Sequence, residues 1–134
     1  MLEVLEHLDN FYMIRYLKQK EIELIICLLQ NKIENNTLNN LNNRLVNDLI
    51  DDELAVEFFI QKDYGRKFKE EFSRVFYDKD GVPILVDISI DQSNDLYDMN
   101  IWKADGSAII KYPQGQGEPL LPGGYFRFIN PDLE

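Results

Sequence analysis

The sequence contains very little cysteine and histidine, and this removes most metal and nucleophilic chemistry. Cys27 and His7 are the only residues of their types among 134. One histidine and one cysteine cannot supply the four nitrogen or sulfur ligands of a zinc site, and His7 alone offers no base beside a nucleophile. A single cysteine also excludes an intramolecular disulfide. The apolar run around Cys27 predicts a buried, unreactive thiol.

The chain also lacks a long apolar run, a positively charged N-terminus and a phosphate-binding loop. No apolar stretch approaches the ~18 residues of a membrane span, and acidic residues stand where a signal peptide needs positive charge. We therefore expect a cytoplasmic, bacterial protein that does not bind membranes. The turn at residues 78–81 lacks the remaining ligands of a calcium loop. We predict no catalytic residue, no metal and no cofactor.

What the sequence does have is negative charge. Acidic residues outnumber basic residues by 24 to 14, which gives a formal net charge of −10, and both halves of the chain share the excess. Such a surface repels phosphate backbones, so we expect no nucleic-acid binding. The same field accelerates encounter with a basic protein, although solubility alone also accounts for an acidic composition.

Hydrophobic residues make up 45% of the chain, and with eight Phe and seven Tyr they predict one globular domain over residues 1–134. Apolar residues at helical spacing predict the main helix at about residues 19–32. A thinner stripe predicts a short helix at residues 2–12. Residues 31–47 contain eight Asn and predict a loop, because Asn competes for backbone hydrogen bonds.

Period-two alternation predicts the strands. It is clearest from Val82 to Ile90, and similar patterns cover residues 54–60, 97–101 and 125–129. Residues 70–77 fit a helix or a strand, and we predict a strand because the Asp-Gly turn that follows needs one on each side. A further hairpin turn is predicted at residues 51–53. The predicted fold is α+β: an antiparallel β-meander of about five strands with one main helix packed on it.

Four carboxylates in the second half of the predicted meander form the candidate site. Asp87 belongs to the clearest strand, and the others continue through the next turn into the following strand. These carboxylates form either an ordinary solvated sheet face or a docking surface. The nearby tryptophan lies either in the core or at the surface, where it would act as an aromatic anchor. The candidate protein-binding residues are Asp87, Asp91, Asp95, Asp98 and Trp102.

Two segments carry a resemblance to a known family. Residues 80–83 read DGVP and residues 96–105 read LYDMNIWKAD. They resemble a family of small bacterial domains of unknown function in which a DGVPV strand leads into an LxELDIWKVDxS segment. Residues 15–18 resemble the opening of that family, and the likeness covers roughly residues 14–113. This chain departs from the pattern at residues 98–100, which read DMN in place of the ELD element.

The resemblance implies no activity, because the family has none established, and it imports no catalytic residue. In size and acidity the chain is similar in style to immunity proteins that neutralise bacterial toxins. The first hypothesis is therefore a non-enzymatic protein-binding module, of which an immunity-type inhibitor of a basic toxin is the specific form. One alternative is a small ligand-binding or hydrolytic domain with a pocket near the 113–124 loop. Another is a structural subunit that pairs through an edge strand.

Overall fold

A six-stranded antiparallel sheet forms the framework of the protein. The computed structural model describes residues 13–49 and 54–121, and the fold is reported for these residues. The strands lie in the order β1-β2-β3-β6-β5-β4, and all neighbouring strands are antiparallel. Their bounds are β1 Met13–Tyr16, β2 Leu45–Asp48, β3 Ala55–Phe58, β4 Phe68–Tyr77, β5 Pro83–Asp91 and β6 Leu96–Lys103.

One main helix, α1, covers one face of this sheet. It spans Gln19–Leu29, and its start is fixed by Glu21, whose carboxylate accepts the Lys18 N–H at 2.7 Å. The helix predicted at residues 19–32 is confirmed, but it ends at Leu29. Asn31 then takes a left-handed conformation with φ of 69°, which a continuing helix does not allow. None of the helices in residues 13–49 and 54–121 has the length and hydropathy needed to cross a membrane.

The Asn-rich segment is more ordered than predicted. It contains the short helix α2 at Asn35–Asn39, a 3₁₀ turn at Leu41–Asn43 and the beginning of β2. The prediction of a loop over residues 31–47 was wrong because it weighed asparagine propensity alone. Leu38 and Leu41 are buried in the core, and their burial fixes local structure that the asparagines would not form by themselves.

The core is a single cluster between α1 and the sheet. Residues of α1 at helical spacing, such as Leu24, Ile25 and Leu28, pack on inward-facing residues of the central strands. Val56, Phe58, Val86, Ile88 and Met99 are among these strand residues, and each is at most 1% exposed. Cys27 lies at the edge of this cluster and is partly buried.

The described sheet is close to the predicted size but is differently connected. It has six strands where about five were expected: β1 and β2 were not recognised in the sequence, and one predicted strand lies outside the described residues. It is also not one continuous meander: β1-β2-β3 and β4-β5-β6 are two three-stranded units joined by the pairing of β3 with β6. Residues 70–77 do form a strand, within β4. The helix predicted at 2–12, the turn at 51–53 and the strand at 125–129 lie outside the described residues.

The outer edge of β4 is partly covered by the segment after β6. Glu118 pairs with Val75 through two backbone hydrogen bonds of 2.8 Å. Arg74 donates to the carbonyl oxygens of Gln116 at 2.7 Å and Gly117 at 2.9 Å. These bonds bring the backbone of Gly117 so close to β4 that a Cβ there would lie 2.7 Å from the Val75 carbonyl oxygen.

We predict that Gly117→Ala destabilises the protein by about 2 kcal/mol more than Gly115→Ala does. Both glycines have positive φ, so both alanines are strained, but only at residue 117 does the new methyl group collide with backbone. Urea unfolding of the two variants measures the difference. Equal losses would mean that the segment at 117–118 does not pack on β4.

Candidate functional site

Buried carboxylates on the helix side of the sheet are neutralised by buried cations. Lys103 is 5% exposed and donates to Asp78 at 3.0 Å, to Asp80 at 2.5 Å and to the Ala108 carbonyl oxygen at 3.2 Å. Asp78 also accepts the backbone N–H groups of residues 79, 110 and 111. The ion pair therefore ties the β4–β5 turn and the loop after β6 to the end of β6.

A second buried cluster joins α1 to β1 and β2. The Arg15 guanidinium donates to both oxygens of Glu21 at 2.7 and 2.8 Å, and to both oxygens of Asp48 at 2.9 and 3.0 Å. Glu21 is 1% exposed and Asp48 is 6% exposed. Charge-assisted bidentate pairs of this kind are strong and directional, so the cluster fixes how the helix sits on the first two strands.

Two of the predicted binding residues, Asp91 and Asp95, lie in a third cluster at the β5–β6 turn. Asp91 is fully buried and accepts hydrogen bonds from the Tyr64 hydroxyl and from Arg66 at 2.9 Å. Burial alone would raise the pKa of Asp91, but these bonds and two backbone N–H bonds lower it. Asp95 accepts a bidentate pair from Arg44 at 2.7 and 2.8 Å. Both carboxylates therefore already have cationic partners within the fold.

The other predicted carboxylates, Asp87 and Asp98, lie on the sheet face turned away from α1, which we call the outer face. Asp98 belongs to a row of five directly opposed residues that crosses five strands, from β4 to β2. Neighbouring strands are about 4.8 Å apart, so the side chains of such a row are in mutual reach. The row, called the acidic row below, consists of Glu71, Ser89, Asp98, Glu57 and Asn47.

Hydroxyl groups orient two carboxylates of the outer face. Ser89 donates to Asp98 at 2.5 Å, and Ser73 donates to Asp87 at 2.6 Å. The pKa of Glu71 is raised, first by partial loss of hydration on the sheet, then by the charge of Asp87 and a hydrogen bond with it, and then by the charge of Asp98. The carboxylates of Asp87 and Asp98 thus disfavour the charged form of Glu71.

No ion pair between described residues involves Glu57, Glu71, Asp87 or Asp98. Glu71 is exposed and the other three are half-buried. Within residues 13–49 and 54–121, no group of three or more His, Cys, Asp or Glu residues has a spacing that holds a metal ion. The outer face therefore presents carboxylate oxygens that form no ion pair with the described residues.

Aromatic side chains lie on both sides of the acidic row. Trp102 is on the outer face of β6, four residues beyond Asp98, and is 44% exposed. Tyr16 is on the outer face of β1 and is 61% exposed. Tryptophan and tyrosine are enriched in protein interfaces, where large amphipathic rings supply contact area. Of the five predicted residues, Asp87, Asp98 and Trp102 thus lie on the outer face of neighbouring strands.

A cavity among the described residues lies at the far end of β6. It has a volume of about 840 Å³ and is lined by Lys20, by the start of β3, by the end of β6 and by residues 106–112. The Tyr112 hydroxyl is buried without a hydrogen-bond partner, and its ring lies 4.7 Å from the Lys20 ammonium. A smaller cavity of about 280 Å³ is lined in part by Pro113 and Gln114 of the 113–124 loop, of which residues 113–121 are described.

Comparison with known proteins places the chain in a family without assigning an activity. A family model described as a domain of unknown function, DUF6984, matches residues 14–113. The chain belongs to this family. No curated protein and no solved structure matches significantly. The matched residues of this DUF6984 domain include every described strand except the first residue of β1.

The segments that carried the resemblance in the sequence are structural in this DUF6984 chain. Lys103 belongs to the buried ion pair at the end of β6, Asp80 is its second and more exposed partner, and Arg15 holds Glu21 and Asp48. Other residues of the outer face were not recognised as site residues from the sequence, although the strands of all of them except Asn47 had been predicted. These are Asn47, Glu57, Glu71, Ser73 and Ser89, and only the register of the sheet identifies them.

We predict that acid weakens this DUF6984 domain between about pH 4 and pH 2 because Asp78 becomes protonated. Burial alone would raise the pKa of Asp78, but hydrogen bonds from Ile110, Lys103 and other donors lower it from 3.8 to about 2. Because folding lowers the pKa of Asp78, its ionised carboxylate stabilises the fold fully at pH values above the ordinary pKa of 3.8. This stabilisation is lost as the pH falls through the lower pKa of the folded state.

Asp78→Asn should therefore lower the free energy of unfolding at neutral pH by about 3 kcal/mol. Between pH 4 and pH 2, the free energy of unfolding should decrease less for this variant than for the wild type. Urea unfolding across this pH range measures both effects. Glu23→Gln, at an exposed position of α1, is the matched control for the change of charge. Identical pH profiles for wild type and Asp78→Asn would refute the assignment.

Proposed function

We propose that this domain is a non-enzymatic protein-binding module whose outer face docks a basic partner. The observation that carries the proposal is the pairing of Glu57 directly opposite Asp98, with no cation of the described residues beside either of them. Like charges directly opposite one another destabilise a sheet. A partner that brings positive charge to this position relieves the repulsion.

The contrast with the rest of the fold supports this proposal. The buried carboxylates Glu21, Asp48, Asp78 and Asp91 all have cationic partners. Ion pairs within the chain thus neutralise these buried carboxylates, whereas no ion pair between described residues neutralises the carboxylates of the outer face. Sequences that specify one fold tend to break local rules at functional sites, because the stability lost there serves binding.

The net charge acts on the same partner at longer range. A charge of −10 accelerates diffusional encounter with a basic protein and suppresses encounter with acidic ones. The flanking Trp102 and Tyr16 supply the aromatic contact area that interfaces use. In its specific form, the proposal is an immunity-type inhibitor that covers the active surface of a basic toxin.

Small-ligand binding is the second candidate, and it rests on the 840 Å³ cavity, which is lined in part by Tyr112. Its volume falls in the usual range for ligand sites. The hydrolytic form of this candidate has no support among the described residues, because Ser107 donates to Asp105 and the only histidine lies outside them.

We predict that Glu57→Gln raises the free energy of unfolding by about 0.5 kcal/mol, because it removes the repulsion with Asp98 and breaks no hydrogen bond. Asp95→Asn is the matched control. It makes the same kind of change but removes half of the ion pair with Arg44, so it should cost about 1 kcal/mol. Urea unfolding of both variants tests the sign. A destabilised Glu57→Gln would show that Glu57 has a stabilising role instead.

Partner capture tests the function itself. Immobilised wild type, the outer-face variant Glu57→Gln/Asp87→Asn/Asp98→Asn and the control variant Glu23→Gln/Glu34→Gln/Glu70→Gln are compared on lysate of the source organism. Both variants remove the same charge, but the control changes only exposed acids outside the outer face. We expect a basic protein that binds to wild type and control and is lost from the outer-face variant.

The captured protein is then purified and its affinity is measured at several salt concentrations. Removing close charge pairs at an interface should weaken binding at least a hundredfold, and higher salt should weaken the wild-type complex. A toxin would additionally harm cells that lack this domain and spare cells that express it. Equal affinity for the outer-face and control variants would exclude the outer face as the docking surface.

A further inference from the structure

A second row on the outer face consists of apolar side chains, and we call it the apolar row. Val75 lies directly opposite Leu85, and Leu85 lies directly opposite Trp102, so the row crosses β4, β5 and β6. Val75 is only 2% exposed and Leu85 only 6%, yet neither belongs to the core cluster between α1 and the sheet. On a sheet face that meets water, side chains are polar and remain accessible. This part of the outer face is therefore covered by another part of the chain.

The described residues do not provide this cover. The helices and the 3₁₀ turn place their buried leucines in the cluster on the other side of the sheet. The loop after β6 binds Lys103 on that same side, and the connection between β3 and β4 contacts Asp91 at the opposite end of β5. Glu118 is hydrogen-bonded to the backbone of Val75, so it lies beside β4 in the plane of the sheet and not above its face. The next three residues, 119–121, are exposed or half-buried.

Three segments lie outside the described residues, and they join the sheet at different places. Residues 50–53 connect β2 to β3 and are too few to reach β5. Residues 1–12 precede β1, which forms the edge of the sheet opposite to β4, and five strand spacings separate these two edges by roughly 24 Å. Residues 122–134 begin just after Glu118, beside β4. Of the three segments, this last one therefore starts nearest to the apolar row.

We propose that residues 125–129 pack on the apolar row through Phe126 and Phe128. These residues read YFRFI, and the alternation of an extended segment puts the two phenylalanines on one side. The chain from Glu118 to Phe126 can span up to roughly 27 Å when extended. Trp102, at the far end of the row, is two strand spacings or about 10 Å from β4. The segment is therefore long enough to cover the whole row.

Aromatic rings suit the apolar row. Its side chains are two aliphatic groups and an indole ring, so phenyl rings placed on them remove apolar surface on both sides from water. The last residues, 130–134, read NPDLE and offer one apolar side chain beside two acids and a proline. The inference goes beyond the proposed function and does not depend on it, because the partner docks on the acidic row. Failure of one therefore leaves the other intact.

NMR of the unmodified full chain tests the contact directly. With labelled methyl groups, we expect nuclear Overhauser effects (NOEs) from Val75 and Leu85 to the ring protons of Phe126 and Phe128. NOEs to leucines of residues 2–12 in their place would assign the cover to the other end of the chain and overturn the proposal. A mixture of labelled and unlabelled chains shows whether the contact lies within one molecule. NOEs that arise only between molecules would make a second copy the occupant and would also overturn it.

Fluorescence gives an independent test, because Trp102 is the only tryptophan of the chain and lies in the apolar row. Phe126→Ser/Phe128→Ser should shift its emission to longer wavelength and increase its quenching by acrylamide, since the indole ring loses apolar neighbours. Leu5→Ser/Leu8→Ser is the matched control and should leave both quantities unchanged. Circular dichroism verifies that each variant is folded, and the NMR result on the wild type holds whether or not they fold. Unchanged emission and quenching in a folded Phe126→Ser/Phe128→Ser would refute the proposal.

Discussion

The rest of the structure depends on the ion pair between Lys103 and Asp78. It joins the end of β6 to the β4–β5 turn, and Asp78 additionally binds the backbone of the loop at residues 110–111. A buried cation with a carboxylate that accepts three backbone N–H groups is stable only in one geometry, because any shift leaves a charge unpaired. The interaction thereby fixes the ends of the central strands against one another.

The register of those strands decides what the outer face can do. A shift of one residue would move every side chain of a strand to the opposite face. In the observed register Glu57 opposes Asp98, and Asp98 opposes Ser89. By helping to fix the strands in this register, the buried ion pairs on the helix side also affect the other side of the sheet. There they help to hold Glu57 opposite Asp98, although the two like charges repel each other.

Much of the fold could be predicted from the sequence because it depends on local patterns. The β-branched alternation of β5 and the helical spacing of α1 each follow from residues close in the chain. The pairing of β3 with β6 could not be predicted in this way, because it joins residues more than forty positions apart, such as Ala55 and Asn100. The four-residue strand β1 was missed because it is too short for its alternation to be distinctive.

The candidate site was predictable only in part, for the same physical reason. Asp87, Asp91, Asp95 and Asp98 look alike in sequence, as carboxylates spaced along one hairpin. What separates them is the presence of Arg66 and Arg44 beside Asp91 and Asp95, and both arginines come from distant parts of the chain. Conversely, Glu57 and Asn47 join the site only through the pairing of β2, β3 and β6.

Two uses of charge therefore coexist in this domain, and they differ in where the compensating cation comes from. On the helix side, arginine and lysine of the same chain are ordered by folding, and each pair contributes to one unique structure. On the outer face, the carboxylates are ordered by the sheet and by the hydroxyls of Ser73 and Ser89 before any cation is present. Acceptors fixed in advance lose little conformational entropy on binding, so most of the attraction they gain remains available as affinity. The repulsion between these carboxylates weakens the free domain. The same repulsion favours binding of a cationic partner and disfavours binding of an acidic or neutral one.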